Sequence, residues 1–117
     1  MAFYRDLIVW QKSMDLVTRV YQLTKSFPKE ETYGLSAQIR RSAISIPCNI
    51  AEGYGRNAAR DMIRFLHISM GPLLELQTQL EIARNLAYLT TEIFNDYFES
   101  TREIESMLTG LIRSKVP

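Results

Sequence analysis

One cysteine, Cys48, stands in a chain of 117 residues. That rules out an internal disulfide and any metal site built on several cysteines. Nothing in the sequence asks for an oxidising compartment. The one histidine, His67, has no second histidine or cysteine with which to share a metal. A di-iron bundle needs glutamates on facing helices and Glu-x-x-His pairs, and Arg64 occupies the place of that glutamate. Nucleophilic work by Cys48 would need a histidine as base. Its apolar helical setting instead predicts a packed, inert thiol. Gly53 and Gly55, in EGYGR, lack the lysine and the preceding strand of a phosphate-binding loop. Glu75 and Glu81 are six residues apart and share no helix face well. The expectation is a protein with no catalytic group, no metal and no cofactor.

Long apolar runs are missing too. No stretch approaches the roughly 20 apolar residues of a membrane span. The start, MAFYRDLIVWQK, carries Arg5, Asp6 and Lys12 and lacks a signal peptide's apolar core and cleavage site. A cytoplasmic, soluble protein is expected. Low-complexity segments, repeats and linkers are also absent, so residues 1–117 are read as one domain.

Four helical stretches fill the chain, without convincing strand alternation. The first runs from about Asp6 to Ser26, with Leu7, Trp10, Met14, Val17 and Tyr21 at helical spacing and Leu16, Val20 and Leu23 beside them. Pro28 follows its end. The second runs from about Glu30 to Glu52 on a stripe of Leu35, Ile39, Ala43, Ile46 and Ile50, and Gly53 to Gly55 are expected to stop it. The third, from about Ala58 to Ala87 with Asn57 as cap, has the clearest pattern. Met62, Leu66, Ser69, Leu73, Leu76, Leu80, Ala83 and Ala87 step by four and three, a heptad seam. Such an element would be about 45 Å long. The fourth, from about Thr91 to Ser114 with Thr90 as cap, repeats the spacing in Ile93, Tyr97, Ser100, Ile104, Met107 and Leu111. Phe94, Phe98 and Leu108 form a second stripe. Short connections make neighbours antiparallel. The fold class is all-α, an up-down-up-down four-helix bundle.

Two prolines fall inside these helices. Pro47 removes a donor and presses on the carbonyl of Ala43, at a cost of about 3 kcal/mol unless the helix bends. Ser42, Ser45 and Asn49 offer groups for the freed carbonyl, and the small residues nearby admit a close neighbour. At Pro72 the heptad continues in phase, which predicts one bent helix and not two.

Net charge is only +1, but it is unevenly placed. Residues 1–29 sum to +3, residues 39–64 to +3 and residues 91–106 to −4. A basic side and an acidic side follow. Arg56, Arg60 and Arg64 recur every four residues and, with Arg40 and Arg41, match a phosphate-contacting row. Tyr54 stands beside them as a candidate for base stacking. The competing reading is a solvated face paired with Glu52, Asp61 or the acidic fourth helix. Repetition by symmetry would turn one modest patch into a large positive surface.

RRSAISIPCNIAEGYGR resembles the signature of the 23S rRNA intervening-sequence protein family, also called the four-helix-bundle protein family. FPKEETYGLSAQI, YRDLIVWQKSMDLV and RFLHISMGPLLELQTQLEIA extend the resemblance over nearly the whole chain. It implies a left-handed antiparallel bundle that assembles into a homopentamer and is encoded in bacterial genomes, within 23S rRNA genes or elsewhere. A similar bundle is the accessory protein of diversity-generating retroelements, where a basic pentamer engages nucleic acid and a reverse transcriptase. The resemblance brings no catalytic residues. Pro72 and the near-neutral charge depart from the pattern.

Together these readings give a non-catalytic RNA- or DNA-binding accessory protein. Its nucleic-acid contacts are expected at Arg40, Arg41, Tyr54, Arg56, Arg60 and Arg64. The alternative is an oligomeric scaffold for protein partners, docking through the acidic fourth helix or an apolar patch. Phe3, Tyr4, Ile8, Val9, Phe94 and Phe98 exceed what one narrow seam needs and point to self-association.

Overall fold

A computed structural model describes residues 3–116. After a short 3-10 turn at Tyr4–Asp6 come four helices: α1 (Ile8–Thr24), α2 (Leu35–Tyr54), α3 (Ala59–Asn85) and α4 (Thr91–Lys115). No strand occurs among the described residues. The helices pack as a square in chain order. Each touches its sequence neighbour, α1 closes against α4, and the diagonal pairs come nowhere within 8 Å at Cα. The bundle measures 45 × 24 × 20 Å. One end holds the start of α1, the α2–α3 corner and the end of α4; the opposite end holds the other two connections.

The core follows the predicted stripes in α2 and α3, except that Leu35 and Met62 are half-buried and Ala87 is exposed beyond the end of α3. Ile39, Ala43, Ile46 and Ile50 are buried, as are Leu66, Ser69, Leu73, Leu76, Leu80 and Ala83. Each large aliphatic among them contributes about 1.5–3 kcal/mol by leaving water. In α1 and α4 the buried line is displaced. Val9, Ser13, Leu16, Val20 and Thr24 are buried in α1, whereas Met14 and Tyr21 are exposed. Phe94, Thr101, Ile104, Leu108 and Ile112 are buried in α4, whereas Ile93 is exposed. These two helices each carry two neighbouring apolar stripes, so period alone fits two adjacent faces. Of the residues held to exceed one seam, Val9 and Phe94 belong to the core and Phe3 and Ile8 are exposed.

Both prolines lie within unbroken helices. Around Pro47 the side-chain bonds differ from expectation: Asn49 Nδ2 donates to Ser45 O at 2.8 Å and to Ser45 Oγ at 3.1 Å. Gly53 does not stop α2. It lies inside the helix, buried against α3, where an added Cβ would come to 3.0 Å from Phe65 Cβ and 3.2 Å from Met62 O. The missing side chain sets the close α2–α3 approach, reinforced where Ser69 Oγ lies 3.3 Å from Ile46 O.

The helix ends match expectation only in part. Thr90 caps α4, accepting from Ile93 N at 3.1 Å. Asn57 does not cap α3; the N-cap is Ala58, without a side-chain bond. α2 begins at Leu35, five residues later than expected, because residues 29–31 form a separate 3-10 turn. From that turn Glu31 reaches forward, one carboxylate oxygen accepting from Leu35 N at 3.0 Å and the other from the Tyr88 hydroxyl at 2.8 Å. α3 closes through Ala87, at φ 62°, with Tyr88 N donating to Ala83 O at 2.9 Å.

Candidate nucleic-acid interface

The antiparallel packing divides the predicted site residues between two ends. Arg40 and Arg41 lie in the second turn of α2, and Tyr54 ends that helix; at about 1.5 Å per residue roughly 20 Å separate them. Arg40 is half-buried and serves the end of α1. Its Nε donates to Thr24 Oγ1 at 2.7 Å, its Nη2 to Tyr21 O at 3.2 Å, and its guanidinium lies 4.5 Å from the Tyr21 ring centre. A cation at carbonyls of a helix's last turns meets the negative end of the helix dipole. Arg41, next to it, is exposed.

At the opposite end Arg56, Arg60 and Arg64 are all exposed. Arg56 follows α2 and pairs with Glu52 at 3.2 Å, an exposed contact worth at most about 1 kcal/mol. Arg56 and Arg64 both rest on Phe65, 4.8 and 4.9 Å from its centre. That packing places both guanidinium groups against one ring, with Arg56 Nη2 also donating to Glu52. Tyr54 is half-buried, and burial raises its phenol above the ordinary tyrosine range. Lys115 of α4 lies 5.8 Å from its ring centre. The ring thus packs under a cation, and is not an open platform.

Three further cations share this end. Arg5, in the first 3-10 turn, lies over Trp10 at 5.7 Å, and Arg113 and Lys115 occupy the last turn of α4. Asp6, Glu52 and Asp61 are the carboxylates among them. Neither α1 nor α4 shows this cluster when read alone. Its only signal in the sequence is the antiparallel order itself, which returns the end of the fourth helix to the α2–α3 corner.

The acidic helix is partly neutralised by α1. Asp96 pairs with Arg19 at 2.8 Å and Glu103 with Lys12 at 3.1 Å. Tyr97 donates to Arg19 O at 3.0 Å under that guanidinium, and burial raises its phenol. On the α1–α2 side an apolar groove of about 350 Å³ is lined by Tyr4, Trp10, Met14, Ile44, Pro47 and Cys48, among others. Cys48 is exposed there, contrary to the packed thiol expected from sequence. Its surroundings are apolar, as expected, but they belong to a groove and not to the core. His67 is also exposed. Among the described residues no three His, Cys, Asp or Glu side chains gather as metal ligands. No helix among them is long and apolar enough to cross a membrane.

Fold and surface together define a small four-helix-bundle protein with one cation-rich end. The chain belongs to the family described as 23S rRNA-intervening sequence protein, whose sequence pattern it matches over residues 5–110. Among solved structures it is similar to the crystal structure of a protein of unknown function from the S23 ribosomal protein family of Bacteroides thetaiotaomicron. The two are 27% identical, with a TM-score of 0.81 over 90% of this chain and 98% of the other. No curated protein matches it.

Proposed function

We propose that this protein is a non-catalytic accessory protein that binds nucleic acid, RNA foremost, through Arg56, Arg60 and Arg64, and that it works in the cytoplasm as a homo-oligomer, a pentamer by family resemblance. The observation that carries the reading is the exposed arginine row at the α2–α3 corner, of which only Arg56 has an ion-pair partner among the described residues. Exposed guanidinium groups, two of them packed on Phe65, suit phosphate oxygens. Arg41 is a separate, weaker contact toward the other end. Arg40 is engaged with α1 and contributes mainly to the fold.

Self-association has its own support. The α1–α2 groove is apolar, and α3 carries exposed Ile68, Leu74 and Ile82 on a different face. An interface joining two different faces is heterologous, and closes into a ring when the rotation permits. A ring would set several arginine rows on one side. The scaffold reading, in which proteins are the partners, draws on the same groove and on the exposed acidic residues of α4.

The test is binding of a labelled structured RNA and a DNA duplex across a salt series, on protein of measured oligomeric mass. The expected result is binding that weakens steeply with salt. An Arg56→Gln/Arg60→Gln/Arg64→Gln variant should show a salt slope lower by about 1 for each phosphate it no longer neutralises. Unchanged binding by the triple variant removes these arginines from the site. No binding at low salt leaves the scaffold reading.

A further inference from the structure

We infer that the nucleic-acid surface is the whole end face of the bundle, completed by Arg5, Arg113 and Lys115, and that it takes double-stranded nucleic acid by its phosphates without reading bases. This rests on the nucleic-acid reading above and specifies its ligand.

Three contacts assemble the face. Lys115 over Tyr54 brings the last turn of α4 to the end of α2. The groove shared by Tyr4 and Ala51 brings the first 3-10 turn to the same level of α2. A second groove, lined by Asp6, Leu7, Gly110 and Ser114, joins that turn to the end of α4. Arg56, Arg60 and Arg64 already stand at this corner. Six cations therefore meet three carboxylates, Asp6, Glu52 and Asp61, and one of these carboxylates is held by Arg56.

The ligand class follows from what the rings at this end are doing. Proteins that hold unpaired strands combine a basic channel with open aromatic faces on which bases stack. Here the rings lie under cations: Trp10 under Arg5, Phe65 under Arg56 and Arg64, Tyr54 under Lys115. Phe3 and Tyr4 are the exceptions: Phe3 is 52% exposed and packs on Tyr4 at 4.7 Å between centres, and half-buried Tyr4 packs on Trp10 at 5.2 Å. The two apolar grooves beside the cations contain none of the six, and Arg113 alone of them lines a further groove, on α4 with Arg102 and Glu105. The cations are spread around an end of the bundle whose cross-section is 24 × 20 Å. A spread of point charges meets most phosphates where phosphates are densest. A duplex presents one per about 1.7 Å of axis, against about 3.4 Å for one strand.

The experiment uses the full chain, at established oligomeric mass, with three probes of equal length: two duplexes of unrelated sequence and one unstructured single strand. The duplexes are expected to bind within about twofold of each other, and about tenfold or more tighter than the single strand. Arg113→Gln/Lys115→Gln, with its helical content checked by circular dichroism, is expected to lower the salt slope by about 2 on duplex. Phe3→Ala is expected to leave duplex affinity within about twofold, as stacking plays no part. Equal or tighter binding of the single strand, a strong preference between the duplexes, a weaker Phe3→Ala or an unaffected Arg113/Lys115 variant would each overturn the inference while nucleic-acid binding stands. Failure of every probe to bind at low salt would remove the underlying reading as well.

Discussion

Ala87 shows what a single backbone angle costs. It follows α3 at φ 62°, where a Cβ crowds the neighbouring carbonyl and an L-residue is disfavoured by about 1–2 kcal/mol. The turn is retained because Ala87 N and Tyr88 N satisfy the carbonyls of Arg84 and Ala83, both at 2.9 Å. Ala87→Gly removes the crowding but loosens the unfolded chain. The net expectation is a gain of about 1 kcal/mol, read as a rise in Tm of roughly 4 °C. A lower Tm would contradict the strain. Glu31 makes the complementary case for a side chain. The Leu35 N–H first, then the Tyr88 hydroxyl, holds its carboxyl below the ordinary glutamate range, and burial opposes them. A depressed folded value means the charged form is favoured by folding. Its contribution is complete above the ordinary range, shrinks as pH falls through it, and is gone once the folded carboxyl is protonated. Glu31→Gln should therefore destabilise the protein at neutral pH and make little difference in acid. Denaturation midpoints at the two pH values compare them, and an equal loss at both would refute the assignment.

At the scale of the helices, the seam between α2 and α3 is the most extensive in the bundle. Gly53 lies within it, and Gly53→Ala sets two effects against each other. Alanine favours a helix interior by up to about 1 kcal/mol. The new methyl, however, meets Phe65 Cβ and the backbone oxygen of Met62 at distances that require the start of α3 to move. Overpacking of this kind costs about 1–3 kcal/mol. A net loss in urea unfolding is expected, and a gain would mean that α3 yields easily. This seam also explains which parts of the core are legible in the sequence. α2 has one apolar stripe bordered by small or polar residues, and in α3 the unbroken heptad identifies Leu66, Leu73 and Leu80 as core although Ile68, Leu74 and Ile82 lie outside it. α1 and α4 have two stripes. Trp10, Met14 and Tyr21 follow the helical period as well as Val9, Leu16 and Val20 do, and only packing against a particular neighbour decides between them. The glycines are ambiguous for a related reason: the sequence signals a glycine but not whether it turns the chain or admits a neighbour.

Over the whole molecule, surface character depends on which ends and faces the fold brings together. The arginines close in sequence are visible there as a row. Arg5, Arg113 and Lys115 are not, since they join that row only through antiparallel packing. Arg40 illustrates the opposite case: adjacent to Arg41 in sequence, it turns inward to the end of α1. Of the apolar residues legible as an excess over core needs, Tyr4 lies in the groove beside Pro47, whereas Met14, which shares that groove, reads in the sequence as part of the first helix's stripe.

The same groove contains Trp10, the one tryptophan of the chain. The protein thereby carries an intrinsic optical reporter at the position where another surface would dock. Indole emission moves to shorter wavelength as water leaves, so the colour of its fluorescence follows the occupancy of this face without any label.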